Sequence, residues 1–391
     1  MLTMRQKQAL TQAIKNRYCR MDKKAKGRIL DELVATTGYN RSYARRLLNS
    51  RVKVSHPRQS PRTRTKVYDL LVHQALKTIW LAADNICSKR LKPFLPEFLG
   101  ILERHQEITV DPDTRNKLLS ISCATIDRLL LPDRRRYQLK GRSTTKPGSL
   151  LKAAIAIRTF TDWDDQRPGF TEADLVALCG DNVYGGFVNI LDVTDVSIGW
   201  ISLEAMMGKG QTGIHGDIKA ISKRLPFSLL GLDSDNGTEF INQLLLQYCE
   251  THKITFTRIR PNHKNDNCFV EQKNYSVVRR FLGYARRDTE AELAVIKKML
   301  PLIETYVNFF QPSFKLLKKI RQDNQVRKTY DTAQTPFQRL AKSAILSKDT
   351  ERRLHRLYQS LNPMQLRRQI SRLNQKLDQL YRYKLVESTT T

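Results

Sequence analysis

Thirty-five residues separate Asp235 from Glu271, and each sits where a carboxylate can be aimed. Asp235 lies in Leu232-Asp233-Ser234-Asp235-Asn236-Gly237-Thr238-Glu239-Phe240, an apolar strand that ends in an Asn-Gly turn and leads into a helix. Glu271 lies in Lys264-Asn265-Asp266-Asn267-Cys268-Phe269-Val270-Glu271-Gln272-Lys273-Asn274, a polar loop running into a second helix. Carboxylates so placed can meet and share divalent metal, and oxygen donors suit Mg²⁺ or Mn²⁺. Two such ions, about 3.5–4 Å apart, stabilise both the attacking and the leaving oxygen of a phosphoryl transfer.

A third carboxylate is expected on a central strand, and Asp174 in Glu172-Ala173-Asp174 is the choice. Its rivals are Asp181, in the following turn, and Asp192 and Asp195, near a second hairpin where Asp195 is expected to bond its own turn. Asp233 is the nearest competitor of Asp235, because residues two apart on a strand share a face. Asp235 is preferred because the Asn-Gly turn follows it directly. A lone Asp is ordinarily a solvated surface residue; the joint pattern of strand Asp, Asp-Asn-Gly and helix Glu carries the reading.

The elements around these residues alternate between strand and helix. Strands are predicted over 170–178, 187–193 and 198–203, then a helix over 211–224 and a short buried strand over 228–232. A helix over 239–251, a strand over 254–258 and a helix over 268–282 complete the run. Three antiparallel strands followed by helix, strand, helix, strand and helix is the order of a ribonuclease-H-like core. The fold class expected is therefore α/β: a mixed five-stranded sheet with helices in residues 165–285.

Charge points to the partner. Lys and Arg outnumber Asp and Glu by 68 to 38, a formal net charge of +30. Residues 1–150 hold 32 of the basic and 12 of the acidic residues, so the excess is concentrated there. Such a chain attracts polyanions, and nucleic acid is the usual one. A 40% hydrophobic content is ample for packed cores and argues against global disorder. The six cysteines are scattered with no Cys-x-x-Cys pair, which argues against a disulfide framework and a zinc knuckle and fits a reducing compartment. No apolar run reaches the length of a membrane span, so a cytoplasmic, nucleoid-associated protein without a membrane partner is expected.

The flanks read as helical. Residues 1–55 suggest a helix-turn-helix domain: a turn at Gly38, then Asn40 as cap of a helix with Leu47 and Leu48 inward and Arg41, Ser42, Arg45 and Arg46 outward, toward DNA. An αα-hairpin with a solvated basic face is the plainer alternative. Residues 51–66 are basic and proline-punctuated, as in a linker that tracks phosphates. Residues 67–135 form a second helical, helix-turn-helix-like domain with Ser122 as a cap, or else a packed helical spacer. A boundary is placed in the basic, broken stretch 132–150. Residues 290–391 are expected to be a mostly helical C-terminal region with a basic stretch after Pro312. There Leu366, Ile370, Leu373, Leu377 and Leu380 trace a short heptad seam, for another copy or for a neighbouring helix.

Ser234-Asp235-Asn236-Gly237-Thr238-Glu239-Phe240 together with Glu271 resembles the DDE catalytic core of retroviral integrases and bacterial insertion-sequence transposases. Asn265-Asp266-Asn267, Val270-Glu271-Gln272-Lys273-Asn274 and Asn308-Phe309-Phe310-Gln311-Pro312 bring it closer to the transposase branch. The resemblance spans about residues 168–312 and lacks the zinc module of retroviral integrases. It implies that Asp174, Asp235 and Glu271 bind two Mg²⁺ (or Mn²⁺), and that DNA is nicked at the ends of a mobile element and joined to target DNA. It implies a homo-oligomer on DNA, since two ends must be brought together. Lys264, Lys273 and Asn274 are placed to contact phosphate near the site, or else form a solvated face. The competing readings are a ribonuclease-H-like nuclease without joining activity and a catalytically inactive DNA-binding regulator.

Overall fold

The computed structural model describes residues 2–50, 67–137, 167–208, 210–234, 240, 243–258, 268–322 and 325–390. The chain divides into two compact units, Met1–Lys66 and Val67–Thr391.

Among the described residues the first unit is three helices, α1 (Met4–Arg20), α2 (Lys23–Thr37) and α3 (Arg41–Asn49). The break between α1 and α2 is set by Asp22, whose side chain accepts the N–H of Ala25 at 2.9 Å. Gly38 ends α2 at φ 68°, a left-handed conformation that costs glycine little. Asn40 then opens α3 by accepting the N–H of Ser42 at 2.9 Å. Tyr18, Ile29, Leu30, Leu33, Ala44 and Leu48 form the core. Arg41, Ser42, Arg45 and Arg46 are exposed on α3. Arg41 is ion-paired with Asp31, and the Arg46 guanidinium lies over the Tyr43 ring.

The second unit opens with α4 (Leu70–Ala82), α5 (Ser88–Arg104), α6 (Pro112–Ser120), α7 (Cys123–Leu129) and α8 (Leu131–Tyr137). Ser122 caps α7 through the N–H of Thr125. The sheet follows as β1 (Phe170–Ala177), β2 (Val188–Asp195), β3 (Ile201–Met207), then α9 (Gln211–Arg224), β4 (Gly231–Ser234), α10 (Gln243–Thr251) and β5 (Thr255–Arg258). Its order is β3-β2-β1-β4-β5, with β1, β2 and β3 antiparallel and β4 and β5 parallel to β1. This is the mixed five-stranded α/β sheet expected from the sequence. β3 begins later than predicted because Asp195 builds its own turn, accepting the N–H of Ile198 at 2.8 Å while Gly199 takes φ 72°.

Beyond β5 come α11 (Cys268–Lys273), a π-helical segment (Asn274–Arg279), α12 (Arg280–Leu282) and α13 (Glu290–Phe310). α13 covers the outer edge of β3, whose backbone would otherwise be unpaired. Asn308 pairs with Ile201 twice, accepting its N–H and donating to its carbonyl, both at 2.9 Å. Glu304 accepts the N–H of Leu203 at 2.5 Å.

The C-terminal region is mostly helical and adds one element to the expected reading. The basic stretch after Pro312 folds as a two-stranded antiparallel ribbon, β6 (Leu316–Gln322) and β7 (Gln325–Tyr330). It is followed by α14 (Pro336–Lys342), α15 (Lys348–Ser360) and α16 (Pro363–Thr390). The heptad seam on α16 is used within the chain: Leu366, Ile370 and Leu377 are buried in the same apolar core as Trp80, Phe98, Tyr306 and Phe310. Helices α4 to α7 and α13 to α16 thus share one core with one face of the sheet. The other face packs on α9 and α10 through Ile214, Ile218, Ile221, Leu245 and Tyr248. No described helix is long and apolar enough to cross a membrane.

Candidate active site

Side chains alternate along a strand, so Glu172 and Asp174 of β1 share one face. The parallel register sets Glu172 opposite Asp233 and Ala173 opposite Ser234 of β4. On the other side, the antiparallel register sets Asp174 opposite Asp192 of β2. Four positions on three neighbouring strands therefore put four carboxylates on one face, at the end of the sheet approached by α11.

Glu172 is fully buried, and its Oε2 accepts the backbone N–H groups of Phe269 and Val270 at 2.8 and 2.9 Å. These are first-turn amides of α11, which have no partner inside the helix. Glu271 is the next residue and is exposed. The Glu172 carboxyl is pushed up to about 8, chiefly by burial and further by the charges of Asp233 and Glu271, against the pull of the two amides. Its Oε1 has no hydrogen-bond partner among the described residues. Asp233, also fully buried, accepts from the Thr257 hydroxyl at 2.6 Å.

Asp174 is only partly buried. Its Oδ2 accepts from Nδ2 of Asn274 at 2.6 Å and its Oδ1 from the N–H of Leu175 at 2.8 Å. Asn274 is the first residue of the π-helical segment, one turn beyond Glu271 on the same continuous helix. A π-turn advances the helix face, and such turns recur at functional sites. Asp192 is buried and pushed up to about 7 by desolvation, against the Thr194 hydroxyl and Lys273, with Asp174 and Glu304 adding to the rise. Lys273 is lowered to about 8, chiefly by burial, with Asp192 opposing and Arg90 and Arg339 assisting.

Of the residues singled out in the sequence, Asp174, Glu271, Lys273 and Asn274 come together around one end of α11. Asp235 and Lys264 lie outside the described residues. Arg41, Ser42, Arg45 and Arg46 belong to the other compact unit. Asp181 is exposed, and Asp195 is committed to backbone amides of Gly169 and Ile198. Glu172 was not singled out; its signal is the spacing itself, since Glu172 and Asp174 repeat at the same interval as Asp233 and Asp235. Among the described residues no group of three His, Cys, Asp or Glu side chains is close enough to hold a metal ion. The donor chemistry nevertheless suits a hard cation, because several carboxylates raise one another's proton affinity here.

No family model matches the chain. Among solved structures, the catalytic core domain of BIV integrase aligns with a TM-score of 0.31 and 15% identity, over 45% of this chain and 95% of that domain. Among curated proteins, the uncharacterized protein y4rM of Sinorhizobium fredii is 37% identical over 343 residues, covering 86% of this chain and 96% of that protein. That identity extends over nearly the whole of the relative, and the chain belongs to the same family as y4rM.

Proposed function

We propose that the chain is a DDE transposase with a ribonuclease-H-like core: a polynucleotidyl transferase that binds the terminal repeats of a mobile DNA element, nicks there and joins the ends to target DNA. In this reading Asp174, Asp235 and Glu271 are the catalytic carboxylates and would hold two Mg²⁺ or Mn²⁺. The observation that carries it is the hydrogen bond from Asn274 to Asp174, which ties a strand carboxylate to the helix bearing Glu271. The β1–β4 register supports it, because the pair Ala173 and Ser234 stands one residue before Asp174 and Asp235 in each strand's sequence. When bound, the ions would activate a water or hydroxyl and neutralise the leaving oxygen.

The chain's own residues prepare that site. Glu172 holds the first turn of α11 and so fixes where Glu271 stands. Asn274 orients the Asp174 carboxylate. Lys273 balances Asp192 beside it, and Lys264 and Lys273 would meet DNA phosphate, with Asn274 at the rim. Arg41, Ser42, Arg45 and Arg46 would read or grip the element ends in a helix-turn-helix, and the working form would be a homo-oligomer on DNA. The net charge of +30 supports nucleic acid as the partner.

The test uses the full chain, pre-cut duplex ends taken from DNA flanking its own gene, a plasmid target and Mg²⁺ or Mn²⁺. The wild type should yield joined product. Asp174→Asn, Asp235→Asn and Glu271→Gln should yield none while still binding DNA. Joining at full rate by any one of the three removes that residue from the site. Cleavage with no joining by the wild type makes the protein a nuclease.

A further inference from the structure

Residues 315–330 carry Lys315, Lys318, Lys319, Arg321, Arg327 and Lys328 against a single acid, Asp323. Leu316–Gln322 and Gln325–Tyr330 form the β6–β7 ribbon, a sheet of two strands among the described residues. A lone hairpin buries little and is marginal in water. This one is exposed from Leu317 to Ile320 and from Val326 to Tyr330.

The register sharpens the charge. Lys319 stands directly opposite Lys328, Lys318 opposite Thr329, and Ile320 opposite Arg327. Like charges directly opposite each other destabilise a sheet. Lys318, Lys319, Arg327 and Lys328 join no ion pair with any described residue. Elsewhere the unit pairs its cations closely: Arg286 and Lys384 with Asp288, and Arg339 with Asp331. Between the ribbon's charges lie exposed Leu317, Ile320, Val326 and Tyr330. The ribbon therefore keeps, at a cost to its own stability, a set of unneutralised cations interleaved with apolar side chains.

We propose that the β6–β7 ribbon is a DNA-binding arm that lies in the major groove of a duplex, with its lysines and arginines on the flanking phosphates. The major groove is about 12 Å wide and admits a two-stranded ribbon. A strand of this length spans roughly 20 Å, enough to follow the groove between its phosphate walls. A polyanion supplies the counter-charge that the Lys319–Lys328 pair lacks. The inference rests on the DNA partner of the proposed function and is independent of its chemistry.

The test measures the affinity of the full chain for a random-sequence duplex in EDTA, so that no metal-dependent step occurs. Salt is varied from about 50 to about 200 mM. Each phosphate contact contributes about 0.9 to the slope of log affinity against log salt. The variant Lys318→Gln/Lys319→Gln/Arg327→Gln/Lys328→Gln should lose about 2 to 4 from that slope and bind at least tenfold more weakly at about 100 mM salt. An unchanged slope overturns the proposal. Lys319→Glu supplies the fold control, because it sets an acid opposite Lys328: its thermal midpoint should hold or rise while DNA affinity falls. Both falling together also overturns it. A duplex-binding loss in EDTA with wild-type joining absent in Mg²⁺ keeps the arm and rejects the transposase; the reverse result keeps the transposase and rejects the arm.

Discussion

Glu172 and Asp233 face each other across adjacent parallel strands, both fully buried, and only Glu172 reaches out of the sheet to grip the amides of α11. The pair thus forms a buried polar layer behind Asp174, whose carboxylate is only partly covered.

Removing that grip should loosen one helix end in particular. In Glu172→Ala the amides of Phe269 and Val270 lose their acceptor, at about 1–3 kcal/mol for each buried unsatisfied group. Glu172→Gln keeps a carbonyl acceptor and should cost much less. Hydrogen exchange at residues 269 and 270 should speed up in the alanine variant and stay near wild type in the glutamine variant. Equal protection in all three proteins would show that Glu172 does not hold α11.

On the proposed transposase reading, Asn274→Ala should slow strand transfer at least tenfold with little change in DNA affinity, because the Asn274 amide is hydrogen-bonded to the Asp174 carboxylate. Comparing kcat for strand transfer with the dissociation constant in EDTA separates the two effects. A matched loss in both would make Asn274 a DNA contact instead.

Asn308→Ala should destabilise the larger unit by about 2–4 kcal/mol. It deletes both bonds to Ile201 and leaves a buried N–H and carbonyl on the edge strand without partners. Urea unfolding reads the change, and an effect below about 0.5 kcal/mol would mean that water or a neighbour replaces the side chain.

Glu304 gives a pH dependence with a definite sign. Burial raises its carboxyl from 4.5 to about 7, with Arg224 pulling the other way. The folded state then holds a proton that the unfolded chain releases, so stability is full below pH 4.5 and declines as pH rises to about 7. The loss is about 1.4 kcal/mol for each unit of that interval. Glu304→Gln should flatten this part of the stability–pH curve, and an unchanged slope would assign the titration to another group.

Much of the sheet was legible because its strands are short apolar runs bounded by turn residues, buried on both faces as β2 is along its whole length. The helix over 211–224 matches α9 residue for residue, since its apolar positions Ile214, Ile218 and Ile221 recur on one face. β3 was misplaced by its start, because Ile198 and Trp200 read as strand residues although they belong to the turn that Asp195 closes. The β6–β7 ribbon was missed for a different reason: lysine and arginine have weak strand preference, and a ribbon exposed on both faces shows no apolar alternation. Likewise the periodicity of α4, α5 and α16 reveals an apolar stripe on each but not which stripe it meets.

At the candidate site, Asp174, Lys273 and Asn274 were singled out from their positions alone, and the structure sets Asn274 against Asp174. The burial of Glu172 was not, because Glu-Ala-Asp at a strand reads as a solvated pair of acids. Only the β4 partner and the α11 amides make Glu172 an interior residue.

The last long helix has a consequence for biosynthesis. Arg287 reaches through the interior to the carbonyl of Leu377, and Lys384 closes over Asp288 and Glu292. A ribosome that has finished the sheet and α13 has made a core whose apolar seam still lacks α16. The core of the larger unit is therefore complete only once α16 has been synthesised, which makes its packing the last step in closing that interior.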